Sequence, residues 1–281
     1  MNEKFYLGTY TKRDSKGVYS VLLNKETEQL EALTLEATIE NPTYLSYSKA
    51  DHLLFAVGKG GELCGISAND AQNSPLLPLA SYADQQAVPC YIRYHEKTGD
   101  VLTANYHGGL VELYHYDKEA NSFTFVDKKV HTGSSVHANQ TSPHVHYTDY
   151  TPDEKWIVVC DLGIDTVFTY KRTETGLEEV SQYKTKAGSG PRHITFHPTL
   201  PIAYLICELD ATVEMLSYDK ENGIFTNLDK IALTTEDQQA WGGAIHITRN
   251  GRFVYASNRG FDALYTFSVN PTNGLLTLIQ T

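Results

Sequence analysis

Two side chains of opposite charge are placed to meet at one end of a predicted hairpin. The residue pattern predicts three short strands, over 192–197, 202–207 and 212–218. If the first two form a hairpin centred on Leu200, Arg192 lies across from Glu208, because each is eight residues from that centre. A carboxylate can serve as a general base, and an arginine can stabilise a developing oxyanion. The same two groups could instead form only an ion pair that ties the hairpin together.

This pattern recurs along the chain. Related phrases begin at Asn41, Val88, Ser142, Gly190 and Gly242. Their spacings are 47, 54, 48 and 52 residues, and the N-terminus supplies the second half of a sixth copy. Each copy contains about four short strands and lacks strong helix signals. The repeat therefore predicts an all-β fold, a β-propeller of four-stranded antiparallel blades that forms one domain over residues 1–281.

The number of blades has two interpretations. A propeller has to close, because an open one leaves an exposed sheet edge. Six blades could close on themselves, with the N-terminal half-blade completed by the C-terminal strand. Alternatively, a seventh copy is missing and the chain is truncated at its C-terminus.

Equivalent positions of the blades should converge on one end of the central channel. Six residues before each hairpin turn come Thr43, Cys90, His146, Arg192 and Gly243. Ten residues after it come Lys59, Tyr106, Leu162, Glu208 and Arg259. The neighbours of this channel mouth are His193, His246 and Asn258. Because convergent ionisable groups in a concave site tend to be functional, this mouth is the predicted site.

Composition narrows the class of partner. The chain has 281 residues, a net charge of −11 and no long basic run, which argues against nucleic acid as the main partner. A local cluster of arginine and histidine can still attract a small anionic substrate. No apolar run approaches the length of a membrane span, and the N-terminus enters a strand pattern without a signal-peptide core. A cytoplasmic protein with no membrane partner is therefore expected.

Cysteine and histidine usage gives no strong metal signal. The four cysteines lack CxxC spacing and are predicted to be free thiols, mostly buried in strands. His144 and His146 lie on one face of a predicted strand, but no cysteine or carboxylate joins them at ligand spacing. No metal site is predicted.

Several motifs together resemble a known family. The phrases are YLGTYT, GSGPRHITFHP, CELDATV and IHITRNGRFVYASNRG. They are similar to those of the lactonase family of seven-bladed propellers, whose best-known activity is 6-phosphogluconolactonase and whose fold is shared by carboxy-muconate lactonizing enzymes. The resemblance runs from Phe5 to the last residue and implies a seventh blade that this chain lacks.

The resemblance implies a function and a set of site residues. It implies hydrolysis of 6-phosphoglucono-1,5-lactone, a step of the pentose phosphate pathway, without metal or organic cofactor. The implied catalytic residues are His146, Arg192, Glu208 and Arg259. Predicted substrate-binding residues at the same mouth are Lys59, Tyr106, His193, His246 and Asn258. The implied partner is a small phosphosugar lactone, and the protein is expected to be a monomer or a weak homo-oligomer.

Hydrolysis could use these residues in more than one way. Glu208 or His146 could be the general base, and His146 is favoured because a tight pair with Arg192 makes Glu208 a poorer base. One arginine would stabilise the oxyanion, and the other cation, with Lys59 in reserve, would hold the phosphate. Two other functions fit the sequence: hydrolysis of another lactone or a muconate-type cycloisomerisation, and a non-catalytic propeller that binds a protein or glycan.

Overall fold

The computed structural model describes residues 2–59, 63–67, 88–234 and 240–281. Within these ranges, 22 strands form six sheets, and the strands of each sheet follow one another in chain order. The helical structure described is one 3₁₀ turn, Leu162–Ile164. The predicted all-β fold is confirmed.

The chain divides into two compact units, residues 1–106 with 112–127, and residues 107–111 with 128–281. Three sheets lie mainly in the first unit. Their strands are β1 (Glu3–Leu7), β2 (Gly17–Asn24) and β3 (Gln29–Thr38); β4 (Leu45–Ser48), β5 (Leu53–Val57) and β6 (Leu63–Ser67); and β7 (Tyr91–Tyr94), β8 (Asp100–Asn105), β9 (Leu110–Asp117) and β10 (Ser122–Val130).

The second unit holds three four-stranded sheets. Their strands are β11 (Val145–Tyr150), β12 (Ile157–Asp161), β13 (Thr166–Thr173) and β14 (Gly176–Lys184); β15 (Pro191–Phe196), β16 (Ile202–Cys207), β17 (Thr212–Asp219) and β18 (Ile224–Ala232); and β19 (Gly242–Ile247), β20 (Phe253–Asn258), β21 (Ala263–Val269) and β22 (Leu276–Gln280). Strand β15 contacts both β11 and β19, so the first strands of the three sheets lie side by side.

Burial explains the apolar character of β12 and β16. Every residue of these two strands is buried. Strand β12 contacts β15 of the following sheet, and β16 contacts β19 of the sheet after that. Ile206, Val213 and Met215 of one sheet pack with Val254 and Phe267 of the next. Among the described residues, no helix is long and apolar enough to cross a membrane.

A polar network joins two sheets of the second unit. Lys230 Nζ lies 2.7 Å from Asp210 Oδ2 and 3.5 Å from the buried Glu214 Oε1. Tyr183, from the preceding sheet, donates its hydroxyl to Glu214 Oε2 at 2.7 Å. Burial lowers the pKa of Lys230, but the hydrogen bond and charge of Asp210 outweigh it and raise that pKa. The ammonium group therefore compensates two carboxylates at the junction between the sheets.

Removing this cation should destabilise the protein. Lys230→Met leaves Asp210 and Glu214 close together without their cation, and we expect the free energy of unfolding to fall by about 2 kcal/mol. Urea denaturation measures the change. Lys155→Met, which breaks an exposed pair with Glu221, is the control and should leave the midpoint unchanged. Equal midpoints for the two variants would contradict the assigned role of Lys230.

Candidate active site

A β-bulge interrupts the first strand of each sheet in the second unit. The register shifts between Val145 and Tyr147, and again between Pro191 and His193, so His146 and Arg192 are the extra residues. A wider shift separates Gly242 from Ile245 in the third sheet. A bulged residue leaves the ladder and its side chain is re-aimed, often next to an active site. The hairpin register centred on Leu200 is therefore wrong by one residue where Phe196 pairs with Ala203, and by two beyond the bulge, where Pro191 pairs with Cys207. The side chains of Arg192 and Glu208 meet nevertheless.

Two guanidinium groups share one carboxylate oxygen. Glu208 Oε2 accepts from Arg192 Nε at 2.8 Å and lies 2.6 Å from Arg259 Nη2. Arg192 Nη1 also donates to the carbonyl of Gly243 at 2.9 Å, and Arg259 Nη2 donates to that of Gly242 at 3.2 Å. The side chains of Arg192 and Glu208 are 14% exposed, whereas that of Arg259 is 50% exposed. The three groups carry one net positive charge, with one arginine inside and one at the surface.

Two imidazoles adjoin this cluster. The rings of His146 and His193 meet edge to face with centroids 5.1 Å apart. His193 Nε2 lies 3.3 Å from Arg192 Nη1, a donor, so this nitrogen is the acceptor and the proton is assigned to Nδ1. Burial, and then the charge of Arg192, lower the pKa of both histidines well below the usual value. Both rings are therefore neutral at pH 7.

The other predicted residues of this unit take different positions. His246 is exposed, yet it is close enough for its charge to contribute to lowering the pKa of His193. Asn258 is buried, and its Oδ1 accepts the backbone N–H groups of Trp241, Gly260 and Phe261 at 3.1–3.3 Å. Asn258 thus shapes the turn that carries Arg259, a structural role that the sequence did not indicate.

The sequence analysis did not predict two backbone carbonyls that take part in the site. The carbonyls of Gly242 and Gly243 each accept a hydrogen bond from one arginine, and a side chain at Gly242 would meet the backbone, whereas one at Gly243 would meet a serine hydroxyl. A Cβ on Gly243 would lie 2.5 Å from Ser257 Oγ, and one on Gly242 would lie 2.3 Å from the carbonyl oxygen of Cys207. The Gly-Gly pair in the sequence was the available signal.

Lys59 and Tyr106 belong to the first unit. Lys59 Nζ forms an ion pair with Glu40 Oε1, and its side chain is 59% exposed. Tyr106 is partly buried. Their assignment to substrate binding stays a prediction.

The side chains assigned to the candidate site are arginine, glutamate and histidine, without a cysteine. All four cysteines are free, and Cys90 alone among them is only partly buried. Within the described part of the chain, no group of three His, Cys, Asp or Glu residues is placed to hold a metal ion.

The fold and the site define a β-propeller protein with a cationic cluster where the first and second strands of its blades meet. The family model "Lactonase, 7-bladed beta-propeller" matches residues 4–281. The chain therefore belongs to the family of seven-bladed β-propeller lactonases.

Individual relatives agree with this assignment. The 6-phosphogluconolactonase of Bacillus subtilis (strain 168) is 36% identical over 279 residues, which cover 98% of this chain and 80% of that protein. A crystal structure of a protein from Lactobacillus plantarum has a TM-score of 0.92 at 35% identity, covering 100% of this chain and 82% of the other. The periplasmic gluconolactonase of Pseudomonas aeruginosa has a TM-score of 0.90 at 27% identity, covering 100% of this chain and 82% of the other.

The two neutral histidines should make stability depend on pH. Their folded-state pKa values lie below the unfolded value near 6.5, so the unfolded chain binds more protons as the pH falls through that value. Stability contributed by their neutral forms is present at pH 7 and is lost below about pH 6.5. Each histidine contributes a slope of up to about 1.4 kcal/mol per pH unit.

Urea denaturation between pH 7 and pH 5 measures this slope. His193→Asn should lose less stability over the interval than the unsubstituted protein does. His52→Asn, at an exposed position with φ 51° that asparagine tolerates, is the control and should keep the original slope. The same slope in all three proteins would contradict the assigned environment of His193.

Proposed function

We propose that this protein hydrolyses a sugar lactone, with 6-phosphoglucono-1,5-lactone as the substrate that fits best. The observation that carries the proposal is the pair of guanidinium groups held around Glu208 beside two neutral imidazoles. Lactone hydrolysis needs a base for water and a donor for the oxyanion, and a phosphosugar adds an anion to bind. The relative named 6-phosphogluconolactonase, at 36% identity, supports the same substrate.

Arg192 is the proposed oxyanion donor. Its guanidinium is largely shielded from water and is fixed by Glu208 and by the carbonyl of Gly243 before any substrate arrives. Donors that are already oriented, in a site that excludes water, stabilise developing charge with little reorganisation. The lactone carbonyl is therefore placed against Arg192.

His146 is the proposed general base. Its ring is neutral at pH 7 and can take a proton from water as the water oxygen attacks the carbonyl carbon. The tetrahedral oxyanion then collapses, the bond from the carbonyl carbon to the ring oxygen breaks, and the leaving oxygen takes the proton back. Glu208 Oε2 is already engaged by two guanidinium groups, so we assign Glu208 to orienting them.

Arg259 is the proposed phosphate ligand. Half of its side chain is exposed, and its planar guanidinium can bind a phosphate through two parallel hydrogen bonds. The related gluconolactonase of Pseudomonas aeruginosa favours a second candidate, a sugar lactone without phosphate. That relative is periplasmic, so the cytoplasmic location and the pathway stay predictions.

Loss of the inner arginine should impair catalysis most. Adding fresh 6-phosphoglucono-1,5-lactone releases acid on hydrolysis, which is followed above the spontaneous background. We expect Arg192→Ala to lower kcat/KM about 100- to 1000-fold, the effect of removing one oxyanion donor. Lys59→Ala should have a smaller effect, and unchanged melting temperatures would exclude unfolding. Comparable losses in the two variants would argue against the role of Arg192.

Loss of the outer arginine should act through the phosphate. For Arg259→Ala, kcat/KM on the phosphorylated lactone should fall about 10- to 100-fold, the effect of losing a charge-assisted hydrogen bond. The change on glucono-1,5-lactone, which lacks the phosphate, should be much smaller. Arg259→Lys keeps the charge without the planar fork and should lie between the two. Equal losses on both lactones would exclude phosphate binding by Arg259 and favour the unphosphorylated substrate.

A further inference from the structure

We propose that Asp165 is a positioning residue that sets the Arg192–Glu208 pair through the backbone of Gly190. The inference rests on the proposed function, because it assigns Asp165 to the same reaction. Asp165 ends the 3₁₀ turn between β12 and β13, in the sheet that precedes the one carrying Arg192. It is 4% exposed, so its carboxylate acts inside the protein.

The carboxylate of Asp165 accepts four hydrogen bonds. Its Oδ1 accepts from the backbone N–H of Gly190 at 2.7 Å and from Gln140 Nε2 at 2.8 Å. Its Oδ2 accepts from the Ser135 hydroxyl at 2.5 Å and from the backbone N–H of Gly188 at 2.8 Å. An ionised carboxylate offers about four acceptor sites, and the four donors match that number. Two loops are therefore fixed by one side chain.

Gly190 connects this anchor to the candidate site. The carbonyl of Gly190 accepts the backbone N–H of Glu208 at 2.7 Å, and Arg192 lies only two residues further along the chain. Gly190 has φ 66°, and a Cβ there would lie 2.7 Å from Leu209 Cγ. This backbone conformation favours glycine. The N–H of Gly190 is held by Asp165 and its carbonyl by Glu208, so these two hydrogen bonds fix the register of Arg192 and Glu208.

The second loop held by Asp165 leads to the proposed base. Ser135 and Gln140 lie in the segment before β11, and Gln140 Nε2 also donates to the carbonyl of Leu162 at 2.7 Å. That segment continues into His146. One carboxylate thus orders the approaches to both Arg192 and His146. Because a reacting group displaced by about 1 Å can lose about 100-fold in rate, the order of these loops matters for catalysis.

Asp165→Asn is the most informative variant. Asparagine keeps the shape of the side chain and tolerates the left-handed backbone at φ 52°, so little backbone strain is added. The amide supplies one oxygen and one NH₂ group, so two of the four donors lose their acceptor. We expect kcat/KM on 6-phosphoglucono-1,5-lactone to fall about 10- to 100-fold.

A second readout needs no substrate. NMR measures hydrogen exchange at Arg192 Nε–H, which is bonded to Glu208, after assignment with Arg192→Lys. Gly188 and Gly190 bond to different oxygens of Asp165, so whichever way the amide turns, one of these two N–H groups loses its acceptor. Asp165→Asn should therefore speed this exchange at least about tenfold, because the loop that pairs with Glu208 is no longer held at both points.

Two variants serve as controls. Tyr204→Phe removes a buried hydrogen bond from the Tyr204 hydroxyl to the Gly274 carbonyl, 2.8 Å long, in the turn between β21 and β22. It should lower the melting temperature without changing either readout. Ser135→Ala removes one donor to Oδ2 but leaves the bond to Gly190, so it should leave the exchange of Arg192 Nε–H unchanged.

The outcomes separate this inference from the proposed function. Faster Arg192 exchange in Asp165→Asn, with both controls unchanged, supports the positioning role. Unchanged exchange in that variant overturns the role, as does equal acceleration in Tyr204→Phe, which would mean that any loss of stability has this effect. If the unsubstituted protein opens neither lactone, the proposed function fails, and the exchange measurement alone decides the structural role of Asp165.

Discussion

The site depends on one carboxylate oxygen placed between two guanidinium groups. Two arginines that approach the same point repel each other, and Arg192 is too buried for water to screen that repulsion fully. Glu208 offsets this repulsion, and the three groups together keep one net positive charge. Burial, and then the remaining positive charge, lower the pKa of His146 and His193 and keep both rings neutral. The arginine charges therefore add to the effect of burial on the imidazoles, and Glu208 orients the arginines.

The bulged first strands explain how an ordinary sheet presents this cluster. In an uninterrupted strand, alternate side chains would point into the packing between sheets. The extra residue at His146, and again at Arg192, leaves the ladder, so a polar group can turn away from the core while the rest of the strand stays paired. In the third sheet the shift follows Gly242, which is paired with Asn258, and the carbonyls of Gly242 and Gly243 each accept a hydrogen bond from one arginine. The repeated bulge therefore positions the polar groups of the candidate site.

The sequence predicted the fold and the meeting of its charged groups better than the details of the site. The repeat predicted the strands, and β15, β16 and β17 agree with the predicted ranges to within a residue. The contact of Arg192 with Glu208 also followed from the hairpin. The bulge could not be predicted, because an extra residue alters the register without any marked change in composition. Backbone acceptors at Gly242 and Gly243 could not be read from side-chain types. The turn-forming role of Asn258 was hidden for the same reason, since its partners are backbone N–H groups.

The two arginines differ in burial, and this difference agrees with the separate roles proposed for them, oxyanion stabilisation by Arg192 and phosphate binding by Arg259. Arg192 is held by a buried carboxylate and a backbone carbonyl, and its strand begins at a loop fixed by Asp165, so its position changes only if the packing of two sheets changes. Arg259 lies on an exposed turn that Asn258 shapes, and half of its side chain is exposed, so it is less enclosed by packing than Arg192. Under the proposed mechanism, the opening of the lactone stays at the inner arginine while the outer turn adapts to a different substituent. On this reasoning, relatives that differ in whether their lactone carries a phosphate should differ first around Arg259, because substitutions there disturb little of the packing that holds Arg192.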